Sequence, residues 1–408
     1  MKTMLRFNHK HCNTMNFNFD EEVSRRGTES VKWDEFAPDT IPMWIADMDF
    51  KAAPAIREAL QKRLDHGVFG YELVPDGYYD AITRWFSLRH GWNGFGRKDI
   101  IYTTSVISAY SACIKAMTRP GDKVIIMTPV YNCFFPAIRN NGCEASCSTL
   151  IYKDNRYSID FGDLERRASD PRATVLLLCN PHNPGGRVWT REELERIGAI
   201  CMKHDVFVIS DEIHGELTYP GHDYTPYGTL APEMVKRSAT CVSPTKAFNI
   251  AGIQIANIIA TDPEVYQKID RAINENECCD VNVFGVTALM AAYNGSGEWL
   301  DQLRSYLYDN AQAVYEFMAR ELPQIKVMDI EGTYLMWMDC RALLKEGEQP
   351  EGFSERLTAH LREKARLIVC CGTIYGEDGE GFIRFNIACP RSQVREALSR
   401  LKEGLTSY

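Results

Sequence analysis

Short apolar runs rich in β-branched residues alternate along most of this chain with stretches of helical periodicity. The runs predict strands at Ile100–Thr104, Lys123–Met127, Thr174–Cys179, Val206–Ser210, Thr240–Ser243 and Ile255–Ala260. Helices are expected between them, for example at Val106–Met117 and Arg191–His204. Strands that alternate with helices build a mostly parallel central sheet with flanking helices, because parallel neighbours need a long crossover connection. The chain is therefore predicted to be an α/β protein.

The pattern changes after Tyr293, where glycine and serine interrupt it. A long helix is expected from Glu298 to about Leu322, and strands are expected at Ile325–Asp329, Thr333–Asp339 and Phe382–Ile387. A chain of 408 residues is also too long for one compact core. We expect a large domain at residues 55–290, and a smaller α/β domain formed by residues 1–54 together with residues 291–408.

Composition and charge disfavour several classes of partner. The net charge of −9 argues against nucleic acid, since a phosphate backbone needs a basic surface. No apolar run approaches the roughly 18 residues of a membrane-spanning helix, and the N-terminus lacks the apolar core of a signal peptide. A protein with no nucleic-acid or membrane partner is expected.

The cysteines are numerous but scattered. There are 14 of them, none in a C-x-x-C pair, and the adjacent pairs Cys278-Cys279 and Cys370-Cys371 have neither disulfide nor zinc-site spacing. We expect reduced thiols, a cytoplasmic protein and no metal site.

Unusual polar motifs follow four of the predicted strands. They are Thr128-Pro129-Val130-Tyr131, Asn180-Pro181-His182-Asn183-Pro184-Gly185-Gly186, Asp211-Glu212-Ile213-His214 and Ser243-Pro244-Thr245-Lys246. In an open parallel sheet, ligands bind beyond the carboxyl ends of the strands. Four such endings in one chain predict a single ligand pocket.

These groups match the needs of pyridoxal 5'-phosphate (PLP). Its aldehyde requires a lysine amine, and its ring nitrogen requires a carboxylate that keeps it protonated as an electron sink. Lys246 and Asp211 supply these two groups. Asn183 could donate its amide to the phenolate oxygen, and Tyr131 could stack on the ring.

A phosphate site is predicted where the strand at Ile100–Thr104 meets a helix. The backbone N–H groups of Val106 and Ile107 would point out of the helix N-terminus, which is a natural anion site. The hydroxyls of Ser243 and Thr245 are expected to add donors.

The ordered motifs resemble those of the fold-type I aminotransferase superfamily of PLP enzymes. The spacings from Asn183 to Asp211 and from Asp211 to Lys246 agree with that superfamily. More narrowly, the chain is similar to the MalY/PatB group of cystathionine β-lyases. The supporting stretches are Met43 to Phe50, Gly70-Tyr71, Ser243 to Gly252, Phe382 to Asn386 and Cys389 to Ser392. They span nearly the whole chain.

The resemblance implies roles for the residues that would do chemistry. Lys246 would bind the cofactor covalently and, once substrate displaces it, move the α-proton. Asp211 would pair with the ring nitrogen, and Asn183 with the phenolate oxygen. Tyr131 would stack on the ring, and either Lys246 or a nearby tyrosine would protonate the leaving group. Arg384 would grip the carboxylate of a small amino-acid substrate.

Other positions keep a plain structural alternative. Tyr71 would reach the phosphate of a neighbouring subunit, which implies a homodimer with its active site at the subunit interface; the alternative is that Tyr71 serves only in packing. His214 would lie near the ring or be structural. Trp44 and Tyr334 would line the substrate entrance, but as core aromatics they would need no function.

The expected activity is α,β-elimination of L-cystathionine or a related cysteine thioether to a thiol, pyruvate and ammonia. Many aminotransferases carry an arginine eight residues after the lysine, where this chain has Gln254, and a threonine where it has Gly185. Both departures favour a carbon–sulfur β-lyase. The alternatives are an aminotransferase of amino acids and a PLP protein with a regulatory protein-binding role.

Overall fold

The computed structural model describes residues 16–275, 280–347 and 349–408. Its centre is a seven-stranded sheet. In spatial order the strands are Ile100–Thr103, Ala256–Ile259, Ser238–Val242, Phe207–Asp211, Ala173–Cys179, Lys123–Thr128 and Glu144–Thr149. Only Ala256–Ile259 runs antiparallel to its neighbours. The predicted α/β class with a mostly parallel sheet is confirmed, and the strand at Glu144–Thr149 was not predicted.

The central strands are buried on both faces, and their side chains alternate between two clusters. In the strand Ala173–Cys179, Val175 and Leu177 face one apolar cluster, whereas Leu176 and Leu178 face another. This follows from the two-residue period of a β-strand. Helices cover the first face at Val106–Met117, Phe134–Asn140 and Pro263–Asn274, and the second face at Phe161–Ala168 and Arg191–Lys203.

Two helix starts show why the predicted boundaries were close. Ser105 caps the helix Val106–Met117 by accepting a hydrogen bond from the Ser108 N–H at 3.1 Å. Thr190 and Glu193 form a reciprocal capping box at the start of Arg191–Lys203. Each cap satisfies backbone N–H groups that have no partner within the helix.

A second, four-stranded sheet is antiparallel throughout. Its order is Lys326–Val327, Leu335–Asp339, Phe382–Asn386 and Cys370–Cys371. The associated helices are Gly297–Glu321, Phe353–Lys364 and Arg391–Thr406. The N-terminal part joins this region, because Ile41–Pro42 pairs in parallel with Leu367–Ile368.

The remaining elements complete the chain. Three helices pack together at Pro54–His66, Asp76–His90 and Val283–Gly295. A hairpin joins Ile151–Lys153 to Arg156–Ser158, and short helices lie at Val31–Asp34 and Pro232–Val235. Single 3₁₀ turns lie at Arg97–Asp99, Tyr227–Thr229, Ala251–Ile253, Arg341–Leu343, Gly372–Tyr375 and Glu377–Gly379.

Three sequence expectations concern absences. Within the described ranges, no helix is long and apolar enough to cross a membrane. No group of three or more His, Cys, Asp or Glu side chains there could hold a metal ion. The cysteines in those ranges are free thiols, while Cys12, Cys278 and Cys279 lie outside the described residues.

Candidate active site

One cavity opens at the carboxyl edge of the seven-stranded sheet and encloses about 730 Å³, including its mouth. That volume lies in the range of small-molecule sites. The lining residues are Ala46, Thr104, Ser105, Val106, Ile107, Tyr110, Tyr131, Cys179, Asn183, Asp211, Ile213, His214, Thr245, Lys246, Ala251 and Gln254. The four polar strand endings therefore do meet in one place.

Lys246 lies in the turn after the strand Ser238–Val242, and its amine is buried. The Nζ atom donates a hydrogen bond to the Ala46 carbonyl at 2.6 Å, and the Tyr334 hydroxyl donates to the same oxygen at 2.9 Å. Burial lowers the pKa of Lys246 from 10.5 to about 8, although the charge of Asp47 opposes this change. A substantial fraction of the amine is therefore neutral, and so nucleophilic, at mildly alkaline pH.

Asp211 ends the strand Phe207–Asp211 and is 3% exposed. Its Oδ1 accepts a hydrogen bond from the Ile213 N–H at 3.2 Å. Burial raises the pKa of Asp211 from 3.8 to about 7, and neighbouring Glu212 raises it further, while Lys246 partly counters the effect. A buried carboxylate in this state is stabilised by any cationic group that enters the cavity.

Arg384 reaches the site from the other sheet, on the strand Phe382–Asn386, and is 4% exposed. Its Nη1 donates to Asn183 Oδ1 at 3.1 Å, and its Nη2 donates to the Trp44 carbonyl at 2.8 Å. The Nε atom has no hydrogen-bond partner within the described residues. An unpartnered N–H on a buried guanidinium is suited to receive a carboxylate.

Only some of the residues that were expected to bind the phosphate line the cavity. Val106, Ile107 and Thr245 line it, as predicted. Ser243 lies behind Thr245, because its hydroxyl donates to the Ile255 carbonyl at 2.6 Å and contacts the Thr245 hydroxyl at 2.8 Å. The structure thus places Ser243 where it supports Thr245.

Three aromatic or imidazole side chains surround the middle of the cavity. Burial raises the pKa of the Tyr131 and Tyr110 hydroxyls, so both are neutral. Burial lowers the pKa of His214 to about 3, and the nearby charges of Lys246 and Arg384 act in the same direction. Within the described residues, the Tyr110 hydroxyl and His214 Nδ1 have no hydrogen-bond partner.

The other predicted site residues are placed differently. Tyr71 is 94% exposed and lies outside the cavity lining of its own chain. The Trp44 ring packs edge-on against Phe36 and donates to the Lys32 carbonyl at 3.1 Å, so that Trp44 meets Arg384 through its backbone. Tyr334 is fully buried and contributes its hydroxyl.

Sequence reasoning missed several groups that act on these side chains. The carbonyls of Trp44 and Ala46 hold Arg384 and Lys246, and a backbone oxygen leaves no residue-type signal. The Cys370 Sγ lies 3.4 Å from Arg384 Nη2, and the ring of Tyr375 lies 4.9 Å from the guanidinium carbon. The pairing of the Cys370–Cys371 strand with the strand of Arg384 brings Cys370 opposite Arg384.

Comparisons with known proteins agree with this geometry. The family model described as "Aminotransferase class I and II" matches residues 39–401, and the chain belongs to that family. Cystathionine beta-lyase PatB of Bacillus subtilis (strain 168) is 41% identical over 395 residues, 95% of this chain and 100% of that protein. Protein MalY of Escherichia coli (strain K12) is 34% identical over 94% of this chain and 98% of its own length.

Solved structures agree as well. The crystal structure of cystalysin from Treponema denticola, which contains a pyridoxal 5'-phosphate cofactor, superimposes with a TM-score of 0.91. That chain is 35% identical, and the match covers 96% of this chain and 100% of the other. The resemblance to the MalY/PatB group and the fold-type I prediction are confirmed.

Proposed function

We propose that this protein is a PLP-dependent carbon–sulfur β-lyase that cleaves L-cystathionine or a related cysteine thioether. The observation that carries the proposal is the convergence of Lys246, Asp211 and the Arg384–Asn183 pair at one buried site. The proposal is also supported by a relative named cystathionine beta-lyase, which matches 95% of this chain over its own full length.

The cavity fits PLP on several independent grounds. Asp211 is a buried carboxylate that forms no hydrogen bond to a cationic group within the described residues, so it is available to pair with a protonated ring nitrogen. The Asn183 Oδ1 is taken by Arg384, which leaves its amide N–H groups for the phenolate oxygen. Tyr131 would lie on the ring, with His214 nearby, as would the Tyr110 hydroxyl, which has no hydrogen-bond partner among the residues that the structure describes.

The phosphate would lie at the start of the helix Val106–Met117. The N–H groups of Val106 and Ile107 point there, and the Thr245 hydroxyl adds a donor. Gln254 also lines this cavity where many aminotransferases have a charged arginine. An amide is a weaker phosphate partner than a guanidinium, so the helix end and the hydroxyls bear more of the binding.

When bound, PLP supplies an aldehyde that takes the substrate amine and a protonated ring that stabilises negative charge at Cα. Arg384 binds the substrate carboxylate and so orients the Cα–H bond. The Lys246 amine, in its neutral form, would remove the Cα proton. The Cβ–S bond then breaks, the electron pair leaves with sulfur, and Lys246 or Tyr131 protonates the thiolate. The 2-aminoacrylate product hydrolyses to pyruvate and ammonia.

We further propose that the protein works as a homodimer in the cytoplasm. Tyr71 is 94% exposed and Leu73 is 90% exposed, beside the half-exposed Phe69. Exposed apolar clusters of this kind mark contact surfaces, and Tyr71 would then reach the phosphate of a partner subunit. The cytoplasmic location rests on the scattered cysteines. The two domains, residues 55–290 and residues 1–54 with 291–408, are also part of the proposal.

Product analysis tests the activity. L-Cystathionine should give homocysteine, pyruvate and ammonia in equal amounts without any added keto acid. An aminotransferase would instead need 2-oxoglutarate and would yield glutamate. If thiol release from cystathionine and S-methyl-L-cysteine is absent, while glutamate forms in the presence of 2-oxoglutarate, the lyase assignment is wrong.

A further inference from the structure

The connection between the strands Cys370–Cys371 and Phe382–Asn386 forms a tight loop. A Cβ atom on Gly372 would lie 2.1 Å from the Gly379 carbonyl oxygen, and one on Gly379 would lie 2.0 Å from the Gly372 oxygen. Both positions therefore require glycine, because the two backbones touch there. We call residues 372–379 the carboxylate loop, because the loop precedes the strand that carries Arg384, the residue proposed to bind the substrate carboxylate.

One side of the carboxylate loop faces Arg384. The Tyr375 side chain is 1% exposed, and its ring centre lies 4.9 Å from the guanidinium carbon of Arg384. This is a cation–π contact. The Arg384 Nε has no hydrogen-bond partner in the described ranges and can therefore donate to a ligand. The position of Tyr375 therefore limits where the fork of Arg384 can point.

The other side of the loop is fixed to the seven-stranded sheet. Asp378 Oδ2 accepts hydrogen bonds from the Thr128 hydroxyl at 2.7 Å and from the Thr149 hydroxyl at 2.9 Å. Thr128 and Thr149 are register partners at the carboxyl ends of adjacent parallel strands. The Tyr375 carbonyl also accepts from the Val130 N–H at 2.8 Å. These bonds tie the loop to the sheet that carries Asp211, immediately before Tyr131.

We propose that Asp378 is a positioning residue for substrate binding: by fixing the carboxylate loop to Thr128 and Thr149, it sets Tyr375 and thus the Arg384 fork at the distance from Lys246 that an α-amino acid spans. This inference rests on the proposed function, since it takes Arg384 to be the group that binds the substrate carboxylate. Asp378 itself does not touch the substrate. Its effect should appear in the binding of amino acids that carry a free carboxylate.

The test compares Asp378→Ala with Asp378→Asn in the PLP-loaded protein. Asn keeps an oxygen that can accept from both threonines, whereas Ala keeps none. Asp378→Ala should raise KM for S-methyl-L-cysteine about tenfold, because the carboxylate loop loses both hydrogen bonds to Thr128 and Thr149, and leave kcat within about twofold. Asp378→Asn should stay close to the original protein in both constants.

Two further measurements distinguish positioning from a general structural effect. The dissociation constant of 2-aminoisobutyrate, which lacks a Cα–H and cannot react, should rise in parallel with KM when followed by cofactor absorbance. The methyl ester of S-methyl-L-cysteine has no carboxylate, so Asp378→Ala should leave its KM unchanged. A tenfold rise for the ester as well would overturn the proposal.

Other outcomes are equally decisive. Unchanged KM and unchanged 2-aminoisobutyrate binding in Asp378→Ala would contradict the positioning role. If Asp378→Ala fails to fold, Thr149→Val can replace it. This variant removes one of the two donors and should raise KM and the dissociation constant of 2-aminoisobutyrate about threefold each. If the original protein releases no thiol, the proposed function fails, yet the 2-aminoisobutyrate titration still reports on Asp378.

Discussion

Replacing Asp211 by Asn should stabilise the cofactor-free protein and yet inactivate the loaded one. Within the described part of the chain the carboxylate is buried without a hydrogen bond to a cationic group, and burial raises its pKa from 3.8 to about 7. Between these two values the native state holds a proton that the unfolded state has lost. Stability therefore falls as pH rises through this window.

The magnitude follows from the size of the change. At about 1.36 kcal/mol per pKa unit, the buried carboxylate costs about 4 kcal/mol above pH 7 and less than 2 kcal/mol at pH 5. Asn carries no charge and avoids this cost. Lys246, whose pKa falls from 10.5 to about 8, remains mostly protonated below pH 7.5 in both folded and unfolded states, so it adds little to the pH dependence there.

Urea unfolding of both cofactor-free proteins at pH 5 and pH 7.5 measures the effect. The stability gain of Asp211→Asn should be roughly 2–3 kcal/mol larger at pH 7.5 than at pH 5. Asp49 is a matched control: burial alone would raise its pKa, but Lys32 and Arg25 hold it below 3.8. Asp49→Asn should therefore destabilise the protein by nearly the same amount at pH 5 and pH 7.5, because Asp49 titrates below both values in the folded and the unfolded state. Equal gains for Asp211→Asn at the two pH values would refute the reasoning.

Three other predictions concern the loaded protein. Borohydride should fix PLP to a peptide containing Lys246, and cofactor uptake should accelerate with pH around a midpoint near 8, as the pKa of that amine requires; label on another lysine would contradict this. Arg384→Ala should raise KM for cysteine thioethers roughly ten- to a hundred-fold, as loss of a charge-assisted bond predicts, while the methyl esters should be little affected. Light scattering should find a dimer at micromolar concentration, and an active monomer would rule out the proposed dimer. Tyr71→Phe should weaken PLP binding but leave the dimer intact.

Much of the site was visible in the sequence because its key side chains follow strands. Asp211, Asn183 and Lys246 each come directly after an apolar run, and parallel strands bring their carboxyl ends to one edge. The helical periodicity at Val106–Met117 likewise predicted the helix whose N-terminus faces the cavity. Local patterns of this kind survive in a single sequence since they depend on short-range chemistry.

Long-range geometry was less accessible. The antiparallel direction of Ala256–Ile259 depends on the connection that precedes it, which apolar runs alone do not reveal. Whether Ser243 or Thr245 lines the cavity depends on the conformation of a turn of a few residues. The contact of Tyr375 with Arg384 depends on how a loop closes on itself, which no periodicity encodes.

Backbone carbonyls in the N-terminal stretch 44–46 accept hydrogen bonds from two buried basic side chains of the site. Arg384 donates to the Trp44 carbonyl and Lys246 donates to the Ala46 carbonyl, both neutral acceptors. Neutral carbonyls satisfy these donors, but they bind them less strongly than a carboxylate would, because charge-assisted bonds are stronger. If the proposed function holds, a substrate carboxylate would compete with the Trp44 carbonyl for Arg384, and the Ala46 carbonyl would accept a hydrogen bond from the free Lys246 amine. Ion pairs at the same positions would hold Arg384 and Lys246 more strongly, and would therefore oppose the binding of a substrate carboxylate to Arg384.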